Sequence, residues 1–379
     1  MINKISFKNY KLFKEKQTLE IKPITILIGK NNSGKSAVLK LPTLISGSLE
    51  GKFSAPFQLE NNGVRIGISY DDLFYNKEIT GEALEFEIED EKDNLNIFIS
   101  GDRKFDVNIS KLKFNKVDID ISKIDFNGFL TKSKKFKMPK WKINFDYIDS
   151  FRKFPDPQFS DIFSEYTKIG TDGENAYKLL AQYYKDQNPI LEEIQNWFMH
   201  NFENWKLDVK DLSSSSPSYE IVLTTRDIKP INIVNTGSGI RQSLPLIVRS
   251  FMAIEEETLI IIEEPETHLH PAAHGNLAER FVQSYIENNK RKYLIETHSK
   301  NFILRLQALL ADSNVNFTKN DIAIYYVDYV ENKQFSTLEK LELDELGEFN
   351  KWPEEIFNES YRELLLLKQN QSERDDSIN

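Results

Sequence analysis

Lys35 and Ser36 end the stretch Ile24-Thr25-Ile26-Leu27-Ile28-Gly29-Lys30-Asn31-Asn32-Ser33-Gly34-Lys35-Ser36, and their types and spacing point to phosphate chemistry. They complete the pattern G-x-x-x-x-G-K-[ST], in which two glycines let the chain wrap tightly around an anion. Backbone N–H groups from Gly29 through Lys30, Asn31, Asn32, Ser33 and Gly34 to Ala37 then face phosphate oxygens at a helix N-terminus. In ATP, Lys35 reaches the β- and γ-phosphates and the Ser36 hydroxyl ligates Mg2+. Such a four-position match arises by accident in roughly one or two per cent of chains this long. The buried-strand pattern ahead of it makes accident rarer still.

A second aliphatic run, Leu259-Ile260-Ile261-Ile262, ends in Glu263-Glu264-Pro265-Glu266. On a strand beside the P-loop strand, Glu263 would hold Mg2+ through water and Glu264 would act as catalytic base. A third run, Lys292-Tyr293-Leu294-Ile295-Glu296, leads into Thr297-His298-Ser299. A neutral His298 there can donate to the γ-phosphate. The histidines of Thr267-His268-Leu269-His270-Pro271, with His274 one turn on, offer a conceivable metal site; contacts to nucleotide or to a second subunit are the alternative. Asn235-Thr236-Gly237-Ser238-Gly239-Ile240-Arg241-Gln242 opens a further helix, as either an anion site or a plain Gly-rich cap.

These residues need strands and helices to position them. Residues 2–28 read as short strands, and alternation from Val64 to Phe105 predicts an antiparallel sheet with one wet face. Helical spacing takes over from Ala176 to Trp205, and strands resume at Trp205–Val209 and Tyr219–Thr224. The chain of 379 residues carries a net charge of −10, which argues against a surface broadly adapted to DNA. Arg103 to Lys142 is the exception, with twelve Lys and Arg against four Asp, a local +8 interleaved with aromatics. A solvated insertion explains that island, and a nucleic-acid-facing arm is the alternative. There is no cysteine, which excludes disulfides, zinc–thiolate sites and thiol nucleophiles. No apolar run nears the roughly eighteen residues of a membrane span. With no signal peptide ahead of the first strand, the expected location is cytoplasmic, with no membrane partner.

In this order the motifs resemble the ABC-class ATPase heads of the RecF/SMC/OLD type, and most of all bacterial AAA-type ATPases of anti-phage defence operons. The resemblance covers residues 1–60 and 230–330, and Gly347 to Phe357 is similar to a C-terminal extension of one subgroup. It implies an α/β fold: a P-loop NTPase head of ABC type, with a mixed sheet, flanking helices and an antiparallel β-subdomain, carrying a mixed α+β insertion. The implied organisation is a first head part with Walker A over 1–100, an insertion over 101–204 and a second head part over 205–330. A C-terminal extension over 331–368 and a disordered tail over 369–379 follow.

The same resemblance makes Ser238, Gly239 and Gln242 signature residues that meet the nucleotide of a second head. Glu263 stands at the Walker B acid, Glu264 at the base, Leu269 and His270 at the D-loop and His298 at the switch histidine. Phe7-Lys8-Asn9-Tyr10-Lys11 resembles the element flanking the nucleotide, and Gln58 is the nearest Q-loop candidate. Three features depart from the pattern: Glu263 replaces Asp, His270 replaces the D-loop Asp, and the signature is expanded to Gly237-Ser238-Gly239-Ile240-Arg241-Gln242. The implied cofactors are ATP and Mg2+. The implied assembly is a homodimer or larger even-numbered oligomer closing head-to-tail on ATP, with a separately encoded effector, nuclease or toxin, as partner. A DNA-repair or DNA-sensing head touching DNA through 103–142 is the alternative. The eighty or so residues after His298 are too few for a nuclease domain.

Overall fold

The computed structural model describes residues 2–51, 53–103, 106–131, 139, 141–160, 166–202, 204–352 and 356–378. At its centre is a six-stranded sheet in the order Phe145–Ile148, Thr258–Glu263, Arg291–Glu296, Ile24–Gly29, Ile322–Val330, Phe335–Leu341. The first five strands are parallel, and only the last pairs antiparallel. Parallel strands are covered on both faces, which is why three of them read as unbroken aliphatic runs. Alternation sorts their side chains between two cores. Ile24, Ile26, Ile28, Ile260 and Ile262 face one core, whereas Leu27, Ile261 and Leu294 face the other.

Five helices fill the first core: Ala176–Lys185, Ile190–Asn201, Ser238–Phe251, Pro271–Glu287 and Lys300–Ala311. The second is closed by a six-stranded antiparallel sheet, ordered Gln17–Glu20, Lys4–Lys8, Leu84–Glu89, Asn94–Arg103, Asp106–Phe114, Val117–Ile119. The strand Leu84–Glu89 buries every second residue, as its alternation predicts. The α/β head with an antiparallel β-subdomain is therefore as expected. Among the described residues no helix is long and apolar enough to cross a membrane.

Four expectations need correction. Arg65-Ile66-Gly67-Ile68 alternates but stays out of the sheet: Val64–Arg65 pairs only with Glu60–Asn61, and Ile68 is 82 % exposed. The helix after the P-loop breaks at Lys40, because Pro42 starts a second helix, Leu41–Glu50.

The stretch 101–204 is built into both layers of the head instead of forming an insertion. Asn94–Arg103 and Asp106–Phe114 are one hairpin of the antiparallel sheet, and Phe145–Ile148 is an edge strand of the central one. Of its described aromatics, Phe129, Phe145, Tyr147, Phe159 and Tyr177 are buried, while Lys111 and Lys113 lean over the Phe98 ring. Lys111 also pairs with Asp118 at 3.1 Å and Lys142 with Glu256 at 2.8 Å. Lys104, Phe105, residues 132–138 and Lys140 of the basic island lie outside the described residues, as do 353–355 of the C-terminal extension.

The tail expected to be disordered belongs to a helix, Glu359–Ile378. Its Leu, Lys, Gln and Glu content gives strong helix propensity without an apolar stripe, and Leu364 to Leu367 stand about half exposed.

Candidate active site

Parallel strands bring their carboxyl ends to one edge of the sheet, where a crevice forms. Register puts Glu263 opposite Glu296 and Glu296 opposite Leu27, so three aliphatic runs deliver their polar ends side by side. At Gly29 the backbone passes so close to its neighbour that a Cβ would lie 2.2 Å from the Val327 carbonyl oxygen. Only glycine fits there, at a φ of +152°.

The loop then turns back, with the Ser33 N–H donating to the Lys30 carbonyl at 3.4 Å. Lys35 is buried, and its Nζ donates to the carbonyls of Gly29 at 3.1 Å and Lys30 at 2.8 Å. Burial lowers its pKa, while the charges of Glu296 and Glu264 oppose that shift. The Phe7–Lys11 element braces this helix from behind. The Tyr10 hydroxyl donates to the Ala37 carbonyl at 3.3 Å, and Phe7 meets Tyr10 and Phe13 edge-on.

Glu296 is the functional residue that sequence reading passed over. Its carboxylate stands 3.7 Å from Lys35 Nζ and accepts from Ser36 Oγ at 3.0 Å. Glu263, expected beside Ser36 at the metal, instead accepts from the Tyr147 hydroxyl and lies 3.5 Å from Lys40 Nζ. Glu264 turns away from the strand at φ +41°, a conformation uncommon outside glycine and asparagine. Its N–H donates to the Glu296 carbonyl at 2.9 Å, and Oε2 accepts from Thr267 Oγ at 3.1 Å. Oε1 lies 3.8 Å from His298 Nε2. Burial lowers the His298 pKa, as does Lys35, against the opposing charge of Glu264.

Ligating atoms of Glu264, Glu296 and His298 all lie within 4.8 Å of one another. No such cluster forms from His268, His270 and His274 among the described residues. His270 caps the helix Pro271–Glu287, accepting from the Ala272 N–H at 3.3 Å. His274 uses both ring nitrogens, on Ser299 Oγ at 2.7 Å and the Leu269 carbonyl at 3.2 Å. Gln58 is exposed and joins none of the hydrogen bonds described here.

The expected signature residues divide. Ser238 opens the helix Ser238–Phe251, and a Cβ at Gly239 would lie 2.5 Å from the His268 carbonyl, so this helix start presses on the Leu269–His270 turn. Between them is a cleft of about 340 Å3 lined by Trp205, Gly237, Ile240 and Leu269. Gln242 is buried and faces its own protomer instead of a second one.

Glu296 also gives a stability prediction. Burial, reinforced by Glu263 and Glu264, pushes its carboxyl up to about 6 from an ordinary 4.5, against the opposing pull of Lys35 and Ser36. The folded chain thus holds the proton more tightly than the unfolded one. Ionisation costs nothing below 4.5, and the cost grows to about 6 and stays constant above. A shift of this size is worth about 2 kcal/mol. Glu296→Gln should therefore resist urea better than wild type by about 1–2 kcal/mol near pH 8, with the advantage gone near pH 4. The same variant should lose turnover, because Lys35 and Ser36 lose their shared anchor. An equal advantage at both pH values would contradict this origin of the shift.

Comparison with solved structures gives the SMC head fold. One match, titled as the SmcHead bound to the C-winged helix domain of ScpA, has a TM-score of 0.50 and 13% identity. It covers 90% of this chain and 98% of that one. The SMC head domain from Thermotoga maritima aligns over 90% of this chain and 99% of its own, at TM-score 0.45 and 11% identity. No curated protein matches the sequence. A family profile does match, over residues 24–305. The chain belongs to the AAA ATPase family described as "AAA domain, putative AbiEii toxin, Type IV TA system".

Proposed function

We propose that this protein is an ATP-hydrolysing switch in which two heads close head-to-tail around ATP and Mg2+ and so control a separately encoded effector in bacterial anti-phage defence. The observation that carries the reading is the meeting of Lys35, Ser36, Glu264, Glu296 and His298 at one sheet edge, drawn from three strands. The donor set fits the cofactor, because Ser36 and Glu296, with Glu263 close by, offer hard oxygen ligands. Bound there, Mg2+ would offset the negative charge of the nucleotide's phosphates. Lys35 holds the same phosphates from the loop side. Glu264, held by Thr267 and by the Glu296 carbonyl, takes a proton from the attacking water. Neutral His298 donates a hydrogen bond to the γ-phosphate.

The half-exposed start of the signature helix would supply an N-terminal dipole for a triphosphate on a second copy, and would lose that partner when phosphate leaves. Pairing with another protein is supported by the toxin–antitoxin setting of the family and by a related head that carries a bound winged-helix partner. The test is ATP turnover with and without duplex or single-stranded DNA, at low and moderate salt. Turnover indifferent to DNA supports a protein effector. Strong stimulation that fades with salt would transfer the output to DNA contacted by residues 103–142.

A further inference from the structure

Gln242 sits on the signature helix yet bonds inward. Its Oε1 accepts from the Arg152 N–H at 3.1 Å, and its Nε2 donates to the Arg152 carbonyl at 2.8 Å. This double bond pins the helix to the loop that follows the edge strand Phe145–Ile148. From that loop the Arg152 side chain crosses to the catalytic turn. There its Nη2 donates to the Glu263 carbonyl at 2.6 Å and the Glu264 carbonyl at 3.2 Å.

Arg152 exposes none of its surface. Burying a guanidinium so completely is costly, and here Glu266, Asp149, Glu264 and Glu263 offset the cost with nearby negative charge. Buried ions are weak contributors to stability, so a residue kept at such expense calls for a positional reason. Three further atoms mark the spot. Arg152 Nε and Nη1, and Glu266 Oε2, have no hydrogen-bond partner among the described residues. The other oxygen of Glu266 accepts from the His298 N–H. One buried network thus runs from Gln242 through Arg152 to the carbonyls of both catalytic acids, beside a carboxylate that holds the switch histidine.

We propose that Arg152 and Gln242 are positioning residues that form a relay within each protomer. They tie the Glu263–Glu264 turn, which serves that protomer's own ATP, to the signature helix it presents to its partner's ATP. The relay rests on the head-to-tail reading above. Gln242 lies one turn into the 14-residue signature helix, ahead of Pro245, so a shift at Gln242 passes directly to the helix start at Ser238. A shift of the turn carries the guanidinium, the Arg152 backbone carries the Gln242 amide, and the amide carries the helix. Mere packing would cost stability and ATP affinity together. A relay costs cooperation between the two sites.

Two full-length variants separate these. Gln242→Met keeps length and removes both hydrogen bonds; Arg152→Lys keeps the charge but loses the planar guanidinium whose Nη2 reaches the two carbonyls. ATP affinity, turnover against ATP concentration and melting temperature are measured for each variant and for the pair. ATP affinity should stay within about twofold, while turnover falls about tenfold and its sigmoidal dependence on ATP flattens. The double variant should be no slower than the slower single, as expected of residues acting in series. Unchanged turnover and cooperativity in both singles, or losses that add, overturn the relay. Should Arg152→Lys melt early, Gln242→Met decides alone, since it leaves the guanidinium in place. Wild-type turnover independent of protein concentration would sink the dimer reading itself, which is distinguishable because it needs no variant.

Discussion

With Glu264 changed to Gln, the protein is expected to bind MgATP, stall, and remain as a larger assembly. The amide has the size of the carboxylate, so the turn at φ +41° and the Thr267 contact at 3.1 Å can persist. What it cannot do is take a proton from water. Loss of a general base lowers turnover by roughly a hundred- to ten-thousand-fold. Binding survives because the phosphates are held by the Gly29–Ser36 loop and by Lys35, none of which is altered. Unhydrolysed triphosphate then keeps the signature helix of a second copy attached. Light scattering should show the mass doubling on adding MgATP. An unchanged mass, with ATP demonstrably bound, would count against head-to-tail closure.

Lys35→Ala should do the opposite, abolishing turnover and leaving the mass unchanged with MgATP. The side chain is one of the few buried cations in the head, and it donates to two loop carbonyls beside Glu296. Removing a cationic clamp on a transferring phosphoryl group costs roughly a hundred- to a thousand-fold. The carbonyls of Gly29 and Lys30 also lose their donor, and Glu296 keeps its charge without a counter-ion. Together the two variants bracket the cycle, one failing before closure and the other after it. Phosphate release at the wild-type rate from Lys35→Ala would remove this loop from the chemistry.

Much of this site was readable because buried parallel strands announce themselves. Ile24–Ile28 and Leu259–Ile262 are aliphatic runs that stop abruptly at the residues doing the work. Glu296 closes the run Tyr293-Leu294-Ile295 in the same manner as Glu263 closes its own, and that was the available signal. It was hidden by the more obvious His298 two residues on. Arg152 had no such signal: Phe151-Arg152-Lys153-Phe154 reads as a basic surface, and Phe151 is indeed 72% exposed. Only the tertiary fold turns Arg152 inward. The direction of Gln242 was equally illegible, because Gln242 to Phe251 are all buried and helical period cannot choose among them. The second strand of the hairpin, Asp106–Phe114, was missed because its Lys-bearing outer face masked the buried positions Val107 and Leu112.

The most direct measurement is steady-state phosphate release per protein molecule across a range of protein concentrations, with Lys35→Ala as the blank. An ATPase completed by a second head gives turnover that rises with concentration and is absent from the blank. Turnover that is flat across concentration, or that persists without Lys35, contradicts the account.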